Sequence, residues 1–378
     1  MTKIYLVAGE PSGDVLGAKL IESLKRAFPD VQLFGIGGES MAGQGFHSLF
    51  DIKPLSVMGL MEVVPSIPKV LNCLNQVVAD IIEVQPDIVM TIDSYSFSIR
   101  VHKKLKALKV PFKHVHVVAP QVWAWKAGRV KDVAKFIDHL FCLLPYEKKY
   151  FESLVPCTYV GHPIVENGFY LWHKSDCRKM LGIAQEITVL TMLPGSRRSE
   201  VKYLLPLFKQ AVSQFVVGRP NVFVLVPTVQ TVAETVKESL KDWSVPHMIL
   251  EGQDRRYQGF VASDMALAAS GTVSLELAMA GVPHVIAYRV NRLTAWMAKR
   301  WLKIKYVNLI NLISDKEVIP ELLQEKCSVR ELVFALQQLT FSPHQETKWA
   351  LKQLGFEQEY TPTQRIALTV KEILKNGR

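Results

Sequence analysis

Short apolar runs alternate with amphipathic stretches, and the alternation occurs in two successive series. In the first, 4–8, 31–36, 88–92, 113–118 and 139–144 read as strands, with helical spacing over 14–27, 67–82 and 99–108. A second series begins near Ile187, with strands at 187–192, 222–226, 247–250, 265–268 and 284–288 and helices at 200–217 and 273–280. Most of these runs carry few polar residues, as strands covered on both faces require. Such β/α alternation builds a mostly parallel sheet with helices on both sides. A chain of 378 residues exceeds the roughly 250–300 residues at which one core stops growing. The expected fold class is therefore α/β, with two doubly wound domains facing a central cleft. The expected division is 1–165, 166–345 and a helical end, 346–378, packing back on the first domain or on a partner subunit.

Composition narrows the function. Hydrophobic residues at 49% and charged residues at 21% exclude a disordered chain. Forty-five Lys and Arg against 35 Asp and Glu leave a net charge of +10, favouring an anionic partner: a phosphorylated substrate, an acidic lipid surface or nucleic acid. Five scattered cysteines without a CxxC suggest neither a zinc cluster nor a disulfide framework, which fits a reducing cytoplasm. The apolar run 4–8 is too short for a secretory core. The apolar stretch 265–288 is broken by Gly271, Gly281 and Pro283 and reads as a buried β-α-β rather than a membrane span.

In doubly wound sheets, ligands bind beyond the carboxyl ends of the strands, so the loops there matter most. The first is Gly9-Glu10-Pro11-Ser12-Gly13-Asp14, which is either an anion site at a helix start or a plain β-α turn capped by Ser12 or Asp14. It lacks the GxGxxG spacing of a nicotinamide-cofactor site. Asp93, just past the run 88–92, is placed to act as a general base or else to cap the next helix. The loop 119–125 carries Gln121, Trp123 and Trp125, a platform for a sugar or acyl chain, or else core packing.

In the second series, Gly195-Ser196-Arg197-Arg198 stands between a strand and a helix. Gly195 allows close backbone approach, and an arginine offers bidentate donors to phosphate. The alternative is a solvated arginine pair. No Walker lysine is present, which argues against nucleotide hydrolysis. Ser270-Gly271-Thr272 leads into a helix bearing Glu276, whose carboxylate can accept two ribose hydroxyls while the loop amides face phosphate. Asn311 is a further candidate for the same cleft. No aspartate has another two residues away, so the metal-binding DxD pattern is missing and a leaving group must be neutralised by arginines and helix dipoles.

Taken in order, Ala8-Gly9-Glu10-Pro11-Ser12-Gly13-Asp14, Gly35-Ile36-Gly37-Gly38, Ile92-Asp93-Ser94, the 119–125 loop, Gly161-His162-Pro163, Leu193-Pro194-Gly195-Ser196-Arg197 and Ala269-Ser270-Gly271-Thr272 resemble the lipid-A-disaccharide synthases. These are inverting glycosyltransferases of the two-Rossmann (GT-B) type. Proline at 11 and isoleucine at 310 depart mildly from that pattern. The resemblance implies that a UDP-2,3-diacylglucosamine donor is joined to 2,3-diacylglucosamine 1-phosphate. The products are UDP and a β-1,6-linked disaccharide 1-phosphate on the path to lipid A, and no metal or organic cofactor is implied. Under this reading Asp93 is the base and Arg197 holds the diphosphate, with Gly195, Ser196, Ser270, Gly271 and Thr272 around it. Glu276 holds ribose, while Gln121 and Trp123 contact substrate. The resemblance further assigns Glu10 and Ser12 to orienting a sugar and Asn311 to supporting the nucleotide. A related sugar-nucleotide transferase or 2-epimerase is the alternative.

Acylated substrates require access to a bilayer surface. Two stretches suit it: the apolar 57–64 with the amphipathic helix after it, to about 74, and 289–305, with six basic residues, no acid, and Trp296, Met297 and Trp301 interleaved. Basic, aromatic segments of this kind bind anionic lipid, and no nucleic-acid motif competes for the role. The expected location is the cytoplasm, peripherally on the inner face of the cytoplasmic membrane, as monomer or homodimer.

Overall fold

The computed structural model describes residues 1–55, 60–124, 126–291, 304–339 and 345–375, with the side chains of 60–66 left aside. The chain divides into two compact units, Met1–Pro163 with Glu357–Arg378, and Ile164–Phe356.

The first unit runs β1 (Lys3–Ala8), α1 (Pro11–Ala27), β2 (Gln32–Ile36), α2 (Glu39–Ala42), α3 (Leu60–Val84), β3 (Ile88–Ile92), α4 (Tyr95–Ala107), β4 (Lys113–Val117), α5 (Arg129–Phe136), β5 (His139–Cys142) and β6 (Cys157–Tyr159). Its six strands are parallel and ordered β2-β1-β3-β4-β5-β6. After β2 the chain returns to the other side of β1, so the strand order reverses between β1 and β3. At such a switch point two successive loops diverge and leave a crevice. β3 is buried at every position, which explains why its run carries almost no polar residue.

The second unit holds α6 (Lys174–Met180), β7 (Thr188–Leu193), α7 (Arg198–Phe215), β8 (Val222–Thr228), α8 (Ala233–Leu240), β9 (His247–Glu251), α9 (Gln253–Ala262), β10 (Met265–Ala269), α10 (Val273–Met279), β11 (His284–Tyr288), α11 (Leu309–Ser314), β12 (Glu321–Leu323), α12 (Val329–Gln338) and α13 (Gln345–Gln353). Its sheet is also parallel, in the order β12-β11-β10-β7-β8-β9, and here the order reverses between β7 and β10. The core joins Leu190, Met192 and Val224 of the sheet to Leu204, Phe208 and Val212 of α7 and Leu332 and Leu336 of α12.

The last helix, α14 (Pro362–Lys375), belongs to the first unit. Ile366, Ala367 and Val370 join the core beside Leu20 and Leu24 of α1, and the Thr363 hydroxyl lies 2.8 Å from that of Ser23. The expected boundary at 345 requires correction. α13 packs on α10 and α11, and residues up to Phe356 stay with the second unit. The apolar side of α13, with Ala350 and Leu351 buried, carries it there.

One expected helix cap is also different. α1 begins at Pro11, three residues earlier than its periodicity implies, because proline suits a first turn that needs no N–H donor. Neither Ser12 nor Asp14 caps it. The buried Asp14 carboxylate instead accepts from the backbone N–H groups of Gly38 at 2.7 Å, Ser40 at 2.9 Å and Met41 at 3.0 Å, anchoring the start of α2. Asp14→Ala strands three donors, and the expected loss is about 2–3 kcal/mol of unfolding free energy. Urea denaturation measures it, and an unchanged midpoint would show that water replaces the carboxylate at no cost.

Candidate active site

In the first unit the loops after β1, β3 and β4 carry the candidate residues. Asp93 and Ser94 have φ of +54° and +41°, and Val118 has +80°. Left-handed backbone at non-glycine residues costs roughly 1 kcal/mol or more each, and such strain gathers where side chains must be aimed. The backbone is held by Asp93 N–H donating to the Val117 carbonyl at 2.9 Å and by the Ser98 hydroxyl donating to the Asp93 carbonyl at 2.8 Å. Gly13 lets the first loop pass close by, since a Cβ there would lie 2.9 Å from the Ile92 carbonyl oxygen.

That approach brings the Ser12 hydroxyl to 2.6 Å from Asp93 Oδ2. Asp93 is half-buried and does not cap α4, whose N-cap is Ser94. Beneath it lie His102, His114 and His116, all buried. The Thr91 hydroxyl sits 2.7 Å from His116 Nδ1 and 2.9 Å from His102 Nε2. Burial drives His116 down to about 4, with the Asp93 charge opposing the shift. Near neutral pH the site therefore rests on uncharged imidazoles.

Glu10 is half-buried at the N-cap of α1. Gln121 is exposed on the loop after β4, Trp123 is half-buried there, and Trp125 lies outside the described residues. The Trp123 ring meets Tyr146 edge-on at 5.2 Å and its Nε1–H points at Glu147 Oε1, 3.4 Å away. Glu147 Oε2 accepts from the N–H groups of Leu143 and Leu144, both at 3.0 Å. No motif marks Glu147, yet it ties the tryptophan loop to the end of β5.

Burial pushes the Glu147 carboxyl up to about 7 against these donors. A raised carboxyl favours the neutral form in the folded chain. The stability it contributes is full below the ordinary carboxylate range and is lost as pH rises through about 7. Relative to Glu147→Gln, wild-type unfolding free energy should fall by up to about 3 kcal/mol from pH 4.5 to 8. Urea titrations across that range test this, and a constant difference would refute it.

In the second unit the residues converge on a cavity of about 380 Å³ at the reversal of strand order. Gly195, Ser196 and Arg197 line it from the loop after β7, and Ser270, Gly271 and Thr272 from the loop after β10. Thr228, Glu200, Arg256 and Glu276 complete the wall. Gly195 has φ +118°, and a Cβ there would fall 2.6 Å from that of Glu200, so glycine is required twice over.

Arg197 is the N-cap of α7, with a largely exposed side chain. Its guanidinium donates to Glu200 Oε1 at 3.1 Å, while Glu200 Oε2 accepts from the N–H groups of Ser196 and Arg197 at 3.1 and 3.3 Å. A carboxylate thus already sits on the helix start, the arrangement that suits an anion. Glu276 is buried on α10, and its Oε1 accepts from the Tyr257 hydroxyl at 3.1 Å and from Arg256 Nη2 at 3.3 Å. Neither Arg256 nor Tyr257 lies in a recognisable motif, and sequence reasoning missed both.

Asn311 is a correction. It lies outside this cavity and is completely buried. Its Oδ1 accepts from Val318 and Ile319 N–H, and its Nδ2 donates to the Ile319 carbonyl and Glu321. Both amide ends are spent on ordering residues 318–321, because Leu309 to Ser314 is a short helix whose own loop needs partners. The neighbouring Asn308 reaches the cavity wall only indirectly, donating from Nδ2 to the Ser274 hydroxyl on α10 at 2.5 Å.

The family described as lipid-A-disaccharide synthetase matches residues 4–371. Lipid-A-disaccharide synthase of Rhodospirillum centenum is 46% identical over 90% of this chain and 85% of its own length. The Paramagnetospirillum magneticum enzyme of that name is 42% identical over 99% and 98%, and the Myxococcus xanthus one 36% identical over 100% and 98%. Among solved structures, UDP-GlcNAc 2-epimerase of Neisseria meningitidis bound to UDP-GlcNAc aligns over all of both chains, with TM-score 0.62 and 14% identity. MurG of Acinetobacter baumannii aligns over 98% of this chain and 100% of its own, with TM-score 0.59 and 13% identity. At that identity the likeness is one of fold, the two-Rossmann GT-B architecture. Sequence similarity along nearly the whole chain goes further: the protein belongs to the lipid-A-disaccharide synthase family of glycosyltransferases.

Proposed function

We propose that the protein transfers 2,3-diacylglucosamine from its UDP derivative to the 6-hydroxyl of 2,3-diacylglucosamine 1-phosphate, with inversion at the anomeric carbon. The observation that carries this reading is the second-unit cavity, where the Gly195–Arg197 loop, the α10 start and Glu276 meet. In the proposed reaction Asp93 accepts the proton of the attacking hydroxyl. The new C–O bond forms as the bond from the anomeric carbon to the β-phosphate oxygen breaks, its electron pair leaving on UDP. Arg197 and the Ser270-Gly271-Thr272 amides stabilise that charge. Ser12, which donates to Asp93 Oδ2, fixes the base, so Oδ1 is the atom assigned to take the proton. Glu276 receives the ribose hydroxyls, exchanging its present Tyr257 and Arg256 donors for them. Glu10, Gln121 and Trp123 are assigned to the sugars.

Bilayer contact is assigned to 57–74 and 289–305, of which 57–59 and 292–303 lie outside the described residues. Support comes from what flanks them: Ile67 and Leu71 are exposed on α3, and Arg289 and Lys305 are exposed. Among the described residues no helix is long and apolar enough to cross a membrane, and the contact assigned to these stretches is a peripheral one.

Mass spectrometry of the products tests the reading. The acylated donor and acceptor should yield a tetraacyl disaccharide 1-phosphate and UDP. Equal turnover of a deacylated donor would overturn the assignment of acylated substrates.

A further inference from the structure

Two polar atoms in the wall of the second-unit cavity have no hydrogen-bond partner among the described residues: Thr228 Oγ1 and Arg256 Nε. Thr228 is 5% exposed at the end of β8. Leaving a buried donor unsatisfied costs about 1–3 kcal/mol, so each marks a place where a ligand atom would be gained. The Arg256 guanidinium is held through its other atoms, by the Nη2 contact with Glu276 at 3.3 Å and by the Tyr257 and Phe260 rings, whose centroids lie 5.0 and 5.9 Å away, which leaves Nε without a partner among the described residues.

The sheet order says which part of the ligand these atoms face. The anion-binding elements, the loops after β7 and β10, flank the strand-order reversal. Thr228 ends β8, next outward from β7, and Arg256 is on α9, which follows the outermost strand β9. Glu276, the group assigned to ribose, touches Arg256. Moving away from the diphosphate, the ligand therefore passes ribose and then reaches Arg256 and Thr228.

Resting on the nucleotide-sugar reading above, we infer that Arg256 and Thr228 read the pyrimidine base of the donor and select uracil over cytosine. Both atoms are buried in the free protein, and the inference requires each side chain to turn so that its free atom meets the base. A guanidinium can only donate. It therefore suits the C4 carbonyl oxygen of uracil and meets the C4 amino group of cytosine, itself a donor, with no bond to offer. The Thr228 hydroxyl accepts from uracil N3–H.

Calorimetric titration of the full chain with UDP and with CDP tests this. Wild type should bind UDP at least tenfold more tightly than CDP. Arg256→Met should weaken UDP about tenfold and CDP by less than threefold, bringing the two together. Thr228→Val, which keeps the shape, should weaken UDP severalfold. If Arg256→Met weakens UDP and CDP equally, the arginine serves the diphosphate or Glu276 and the inference is overturned. UDP binding untouched by Thr228→Val overturns it as well. A wild-type chain that binds UDP and CDP alike removes base selection but leaves the nucleotide site standing. One that binds neither nucleotide removes both.

Discussion

Asp93→Asn should lower kcat by about a thousandfold, within the 10²–10⁴ range that a positioned general base contributes. The substitution is chosen for the backbone as much as for the chemistry. Residue 93 holds φ +54°, a conformation asparagine tolerates and alanine resists. The amide oxygen can still accept the 2.6 Å bond from Ser12, so the loop should keep its place and only basicity is removed. Circular dichroism and UDP affinity should match wild type, because the residues lining the proposed nucleotide cavity lie in the other unit. Ser12→Ala should cost less, about tenfold in kcat, since the hydroxyl positions the carboxylate it touches. A kcat for Asp93→Asn within tenfold of wild type would move the proton to another acceptor and leave Ser12 without a catalytic partner.

The loops of the two sites were legible in the sequence because their chemistry demands unusual residues. Gly195 stands where any Cβ would strike Glu200, and Asp93 ends a strand of otherwise buried residues. Two β/α series with few polar strand residues left little choice of architecture, but which loops stand side by side is set by the strand order of the folded sheets. What stayed hidden had ordinary context. Arg256, Tyr257 and Glu147 sit in segments whose polarity suits any surface, and their importance comes from neighbours distant in sequence. Ser12 does not cap α1, because the helix starts earlier, at Pro11, which leaves that hydroxyl to Asp93. Asn311 misled for the opposite reason. A polar residue among apolar ones needs a partner, and backbone amides at 318 and 319 supply it. The three-residue strands β6 and β12 are too short to show a period.

Arg197→Ala should reduce kcat/KM by about 10²–10³, equivalent to roughly 3–4 kcal/mol of transition-state stabilisation. The side chain is largely exposed, and in the free protein its charge is met by Glu200. An exposed pair of this kind contributes little to folding. The start of α7 remains capped without it, since Glu200 also accepts from the Ser196 and Arg197 backbone N–H groups. In the proposed reaction its value lies in the charge that develops on the leaving diphosphate, where a guanidinium gives two parallel donors. UDP should therefore bind at least tenfold more weakly to the variant, while its urea midpoint stays within error of wild type. Arg197→Lys should recover only part of the loss, because an ammonium offers a point charge without the planar fork. Arg198→Ala, one residue along and absent from the cavity wall, should change kcat/KM by less than threefold. If UDP affinity and kcat/KM both survive Arg197→Ala, leaving-group charge is neutralised without that side chain, and the α10 amides must carry the stabilisation by themselves.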